Sequence, residues 1–96
     1  MIRVVIASAA EDDFTEALTW YAERSVSAAE GFEAEFERAL QTIREEPKRF
    51  PPCDDRHRFY LMRRYPFRVI FREEVERVVV IAVAHAKREP RFWEGR

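Results

Sequence analysis

The chain has 96 residues and a mass of 11.5 kDa, enough for one domain and too short for a second with its own core. Of its residues 47% are apolar and 36% charged, with two glycines, a composition that excludes disordered, collagen-like and linker sequence. Net charge is −1, yet Glu11 to Glu46 carries eleven acids against three arginines, and Pro47 to Arg96 carries thirteen lysines and arginines against seven acids. Six arginines and no acid lie between Arg56 and Arg72, which predicts a basic face on a near-neutral protein.

The lone Cys53 has no partner for a disulfide or a cysteine-pair zinc site, as expected in a reducing compartment. The longest apolar run, Val78 to Ala84, is too short to span a bilayer, and the N-terminus lacks a basic region followed by a long apolar stretch. The expectation is a cytoplasmic protein without an anchor, folded as a single domain over residues 1–96.

Ile2 to Ala7 is short and β-branched, the pattern of a first strand. Ser8 with Glu11 forms a capping box, in which the hydroxyl accepts an orphan amide and the carboxylate reaches back to the serine N–H. A helix is predicted from there: Ala10, Phe14, Ala17, Leu18 and Tyr21 make one apolar stripe, with Asp12, Asp13, Glu16 and Glu23 largely off it. Ser27 with Glu30 is a second capping box, followed by a stripe of Phe32, Phe36, Ala39, Leu40 and Ile43 that Pro47 ends. Two such helices joined by about two residues fold back as an antiparallel hairpin. Gly31 within the second helix costs about 1 kcal/mol relative to alanine, which close helix approach would explain.

Pro47 to Arg56, with Pro51, Pro52, Asp54 and Asp55, reads as a surface loop. Arg58 to Arg64 and Phe67 to Arg72 then alternate apolar with polar residues around Tyr65-Pro66, predicting a half-buried hairpin. Glu73 to Glu76 is a turn, and Arg77 to His85 holds seven consecutive apolar residues, as in a central strand covered on both faces. The order β-α-α-β-β-β predicts an α+β two-layer sandwich, an N-terminal strand and a helical hairpin followed by a mostly antiparallel three-stranded meander. The first strand is expected beside the last.

No glycine-rich phosphate loop, paired-histidine metal spacing or nucleophile elbow is present, so no cofactor and no metal are expected. His85, at the end of the apolar run, has the chemistry of a general acid or base, or of a hydrogen-bonded structural residue. His57 and Cys53 read as exposed loop residues. Arg68 and Arg88 carry planar, permanently charged forks suited to phosphate, or to a salt bridge. Phe92 and Trp93 are candidates for base stacking, partner anchoring or packing of the tail, and Trp20 lies off the first stripe.

Taken in order, these residues make the chain similar to the RelE/ParE superfamily of bacterial toxins from type II toxin–antitoxin modules, also described as plasmid stabilization proteins. The features are Ala10 with Asp13, Trp20-Tyr21 with Glu23, Phe32 and Phe36, Pro47 with Phe50-Pro51, and the run Tyr65-Pro66-Phe67-Arg68-Val69-Ile70-Phe71. The most specific is the ending His85-Ala86-Lys87-Arg88-Glu89-Pro90-Arg91-Phe92-Trp93 with Arg96, similar to the tail of ParE-like members.

The resemblance implies a growth-inhibiting toxin neutralised by a co-expressed antitoxin. The basic second half fits an antitoxin whose acidic, partly disordered segment folds over the arginine-rich hairpin and the apolar tail. RelE-like members cleave messenger RNA on the ribosome, and ParE-like members poison DNA gyrase. Under the first reading the resemblance makes His85, Arg68 and Arg88 catalytic; Trp93 stands where a tyrosine is expected, and the lysine pair has no equivalent beyond Arg63 and Arg64. That departure and the net charge favour the ParE-like reading, with an inactive antitoxin-binding module as a third. Arg58, Arg63, Arg64, Arg68, Arg72, Arg88 and Trp93 are the expected target- or antitoxin-binding residues. A homodimer or a toxin–antitoxin hetero-oligomer is expected, and no membrane partner.

Overall fold

A computed structural model describes residues 2–96. β1 spans Arg3–Ile6, α1 Ser8–Ala22, α2 Val26–Glu45, β2 His57–Leu61, β3 Phe67–Glu74 and β4 Arg77–His85, with a short 3-10 turn at Pro47–Arg49. The strands lie in the order β1-β4-β3-β2. β1 runs parallel to β4, from Arg3 opposite Arg77 to Ile6 opposite Val80, and the other two pairings are antiparallel. The α+β class and the pairing of first strand with last are as expected.

Both helices start earlier than the capping boxes place them. The Ala7 N–H still donates to Val80 in the sheet at 3.0 Å while its carbonyl already accepts from Glu11 at 3.0 Å. Strand therefore passes into helix without a linker, and Ser8 is the first helical residue, uncapped by any side chain. After α1 the Arg24 and Ser25 amides both turn back onto the Tyr21 carbonyl, at 2.9 and 2.8 Å. The reversal is complete by Ser25, whose Oγ accepts the Ala28 N–H at 3.1 Å, so Ser25 rather than Ser27 caps α2.

The strands also shift. β2 ends at Leu61, the Met62 N–H closes the turn onto the Phe67 carbonyl at 3.0 Å, and Arg63 and Arg64 lie in that turn. β3 runs on to Glu74, since Glu73 and Glu74 pair with Val78 and Arg77, and the turn shrinks to Val75 and Glu76, the latter at φ 62°.

On the helix side of the sheet, Phe32, Phe36, Ala39 and Ile43 of α2 and Ala10 and Ala17 of α1 close over Val69, Phe71, Val78 and Val80. Phe14 packs tilted against Phe36 at 4.5 Å, and Tyr21 meets Phe67 at 6.4 Å. Phe32 and Phe71 are both fully buried, each worth about 1.5–3 kcal/mol of burial. The opposite face has no helix; the C-terminal segment covers it, with Phe92 and Trp93 packed over Ile70, Val79, Ile81 and Ala82. Ile70 pairs with Ala82 but Phe71 with Val80, so Ile81 is the extra residue of a β-bulge. The bulge puts Ile81 and Ala82 on the same tail-facing side, which completes the two-sided cover that β4's unbroken apolarity requires.

Gly31 serves a close approach, but not of the other helix. A Cβ at this position would lie 2.5 Å from the Tyr65 hydroxyl, which comes from the β2–β3 turn and donates to the Ala28 carbonyl at 2.8 Å.

Candidate functional site

Strand periodicity and register split the arginines of the hairpin instead of gathering them on one face. Arg58 lies on the helix side, donating to the Phe50 carbonyl at 2.8 Å and lying 3.4 Å from Glu73. Arg72 is held by Glu74 at 2.8 Å. Glu74 takes Arg77 as well, at 2.6 Å, and the hydrogen bonds from Arg72 and then Arg77 hold its carboxyl below the ordinary value. Arg63, Arg64 and Arg68 are exposed at the other end of the strands.

Arg68, His85 and Arg88 do come together. They line one cleft of about 420 Å³ between the ends of β3 and β4 and the C-terminal segment, with Arg91, Phe59 and Cys53. Arg68 stacks over Phe59 at 4.8 Å and Arg88 over Phe92 at 3.7 Å. The Lys87 N–H donates to His85 Nδ1 at 2.9 Å, so in the neutral ring the proton sits on Nε2. The ring stands edge-on to Phe67 at 5.0 Å. With Nδ1 taken, the neutral imidazole's remaining nitrogen, Nε2, is a donor rather than a lone pair.

Trp93 is not a surface anchor: it is 5% exposed and lies 4.9 Å from His57. His57 is correspondingly half-buried rather than exposed, with Nδ1 at 3.0 and 3.1 Å from the two Asp54 oxygens. Asp54 also accepts the Arg56 N–H, and these bonds, the Arg56 amide foremost, hold its carboxyl below the ordinary value. Cys53 too is half-buried. Burial, and secondarily Asp54, pushes its thiol up, partly offset by Arg68 and Arg91.

Two acids bury their side chains beside the apolar stripes. Asp13 is not off the α1 stripe: its side chain is 7% exposed. It accepts the Val83 N–H at 3.1 Å, beyond the last pairing of β1, and it binds Arg96 at 2.6 Å with Arg88 at 3.7 Å. Glu35, three positions from Phe32 in α2, is buried and accepts the Arg63 and Arg64 amides at 3.0 and 3.3 Å. An acid spaced three or four residues from buried apolar neighbours was the available signal in both cases.

A second cleft of about 490 Å³ opens between α1 and the ends of β3 and β4, floored by Ala17, Tyr21, Phe67 and Val83. Trp20, 51% exposed, stands on its rim under the Arg24 guanidinium, 3.7 Å from the ring centre. Burial, with Tyr65 adding to it, raises the Tyr21 phenol above its ordinary value, so it stays protonated. His85 and Arg88 line both clefts. Among the described residues no group of three or more His, Cys, Asp or Glu is placed to hold a metal ion, and no described helix is long and apolar enough to cross a membrane.

The α+β fold is shared with a solved structure: "Chromosomal ParDE TA system from P. aeruginosa" superposes with a TM-score of 0.79 at 13% identity, over 91% of this chain and 98% of that one. Residues 4–90 match the family described as ParE toxin of type II toxin-antitoxin system, parDE. The chain belongs to the ParE toxin family. No curated protein matches it.

Proposed function

We propose that the protein arrests growth as the toxin of a type II module by acting on DNA gyrase, and that a cognate antitoxin neutralises it by filling the apolar cleft beside Trp20. Family membership supports the toxin class and an antitoxin partner. The observation that favours gyrase over messenger RNA is the His85 ring: its Nδ1 is taken by the Lys87 amide at 2.9 Å, and cleavage by a ribosomal nuclease needs a group that accepts the 2′-hydroxyl proton. An exposed Trp with apolar neighbours suits an amphipathic segment of a partner.

The second reading, ribosome-dependent cleavage, draws its support from Arg68, His85 and Arg88 sharing one cleft. It requires His85 to release Lys87 and present a lone pair. The test is to add the purified toxin in parallel to a gyrase supercoiling reaction and to a cell-free translation reaction. Gyrase-dependent DNA breaks with translation intact are expected. Translation arrest abolished by Arg68→Ala establishes the nuclease instead, and neither effect leaves an antitoxin-binding module.

A further inference from the structure

The cations of the sheet divide by their partners. At the β3–β4 turn, Lys48, Arg58, Arg72 and Arg77 lie between 2.6 and 3.4 Å from Glu73 or Glu74. At the opposite end, Arg63 and Arg64 in the β2–β3 turn, Arg68 at the start of β3 and Lys87 just past β4 are all exposed. Among the described residues none of these four has a carboxylate within 4.0 Å of its charged group. Register brings them to one place: Leu61 pairs with Arg68, Phe67 with His85, and the Ala86 N–H donates to Pro66 at 2.8 Å.

The turn that carries two of them is anchored. Buried Glu35 receives the Arg63 and Arg64 amides at 3.0 and 3.3 Å, and the Tyr65 hydroxyl ties the same turn to Ala28 at 2.8 Å. The side chains project from a backbone already ordered, which lowers the entropy that binding must overcome.

We propose that this end of the sheet binds the phosphodiester backbone of duplex DNA, without reading sequence. Unpaired lysines and arginines gain most from a partner of high linear charge density, because each phosphate they neutralise releases condensed counterions. An acidic peptide fits less well: folding onto the surface requires apolar burial to offset ordering, and the cluster's own exposed apolar neighbour is Leu61. The apolar cleft beside Trp20 is lined by Arg88 but by none of these four cations. A single strand fits less well too, since its bases would need aromatic platforms. Phe59 lies under Arg68, Phe92 under Arg88, and Trp93 is buried.

The inference goes beyond the gyrase reading and is tested without gyrase. Purified antitoxin-free toxin is titrated into a labelled duplex of mixed sequence, followed by fluorescence anisotropy at several salt concentrations. The expected result is binding whose logarithm falls against log salt with a slope near −0.9 per phosphate, about −3.6 for four cations. Arg63→Ala/Arg64→Ala reduces the steepness by about 1.8 and the low-salt affinity by at least about tenfold, whereas Arg77→Ala at the paired end leaves the slope unchanged. Lys87→Ala, outside the anchored turn, reduces the steepness by about 0.9 and serves if the double variant fails to fold. No binding at the lowest salt, a slope untouched by these variants, tighter binding of a single strand, or equal competition by polyglutamate overturns the proposal.

Discussion

The Asp13 carboxylate on α1 and the Arg96 guanidinium, eighty-three positions apart, meet at 2.6 Å. The same carboxylate takes the Val83 N–H at 3.1 Å on the part of β4 that β1 no longer covers. One acid thus closes a strand edge and clamps the segment that covers the helix-free face. Asp13→Ala leaves the Val83 amide without its partner and is expected to cost about 1–3 kcal/mol. Asp13→Asn keeps an acceptor and costs less, and Arg96→Ala removes the clamp alone. Urea denaturation of the three variants checks the order; Arg96→Ala costing more than Asp13→Ala would contradict this account.

Gly31→Ala should destabilise α2 although alanine is the better helix former by about 1 kcal/mol. The added methyl meets the Tyr65 hydroxyl at 2.5 Å, an overpacking that costs about 1–3 kcal/mol. Removing the hydroxyl relieves it: Gly31→Ala/Tyr65→Phe should be at least as stable as Tyr65→Phe. Thermal melts of the three variants read the coupling directly, and a stabilising single Gly31→Ala is the contrary result.

Glu35 holds the β2–β3 turn by its two amide bonds. Glu35→Ala is expected to cost about 1–3 kcal/mol and to speed amide hydrogen exchange at Arg63 and Arg64 more than in β4. Uniform acceleration over the sheet would mean that the carboxylate supports the whole fold rather than this turn.

Acid should weaken the fold through Asp54 and Glu74, whose carboxyls are held below their ordinary values of 3.8 and 4.5. A folded pKa below the unfolded one gives stability that is present above the unfolded value and is lost as pH falls through the folded one. The loss therefore begins near pH 4.5 and continues below 3.8. Asp54→Asn should flatten the lower part of this profile. An acid limb identical to wild type in a pH series of denaturant midpoints counts against the Asp54 share.

Trp20→Ala should weaken antitoxin binding strongly, by about 2 kcal/mol or more, and toxin stability little, because the ring is already 51% exposed. Calorimetry with the cognate antitoxin and a melt of the free toxin separate the two effects. Unchanged affinity would move the antitoxin seat away from this cleft.

The element order, the two helical stripes and the two-sided nature of β4 were legible because burial imposes a period of 3.6 or 2, or none, directly on the sequence. The helix starts were not. Ser8 and Ser27 satisfy the capping pattern, but the bond from Ala7 to Val80 and the turn on Tyr21 decide where each helix begins. The family was legible in the run from Tyr65 to Phe71 and in the C-terminal motif; Arg68 of the first and His85 and Arg88 of the second do share a cleft.

The amino-acid order alone determined which segments are strands and helices, that the second half is basic, and that the chain resembles one toxin superfamily. Only the tertiary structure decided which arginines are neutralised. Alternation sends Arg58 to one face and Arg68 to the other, and Glu73 and Glu74 then reach Arg58, Arg72 and Arg77, while among the described residues no carboxylate lies within 4.0 Å of the guanidinium groups of Arg63, Arg64 and Arg68. It likewise decided that Asp13 and Glu35 are buried and that Trp93 is core. A residue's charge is local to the sequence, whereas its partner is set by pairing register and by contacts between distant segments.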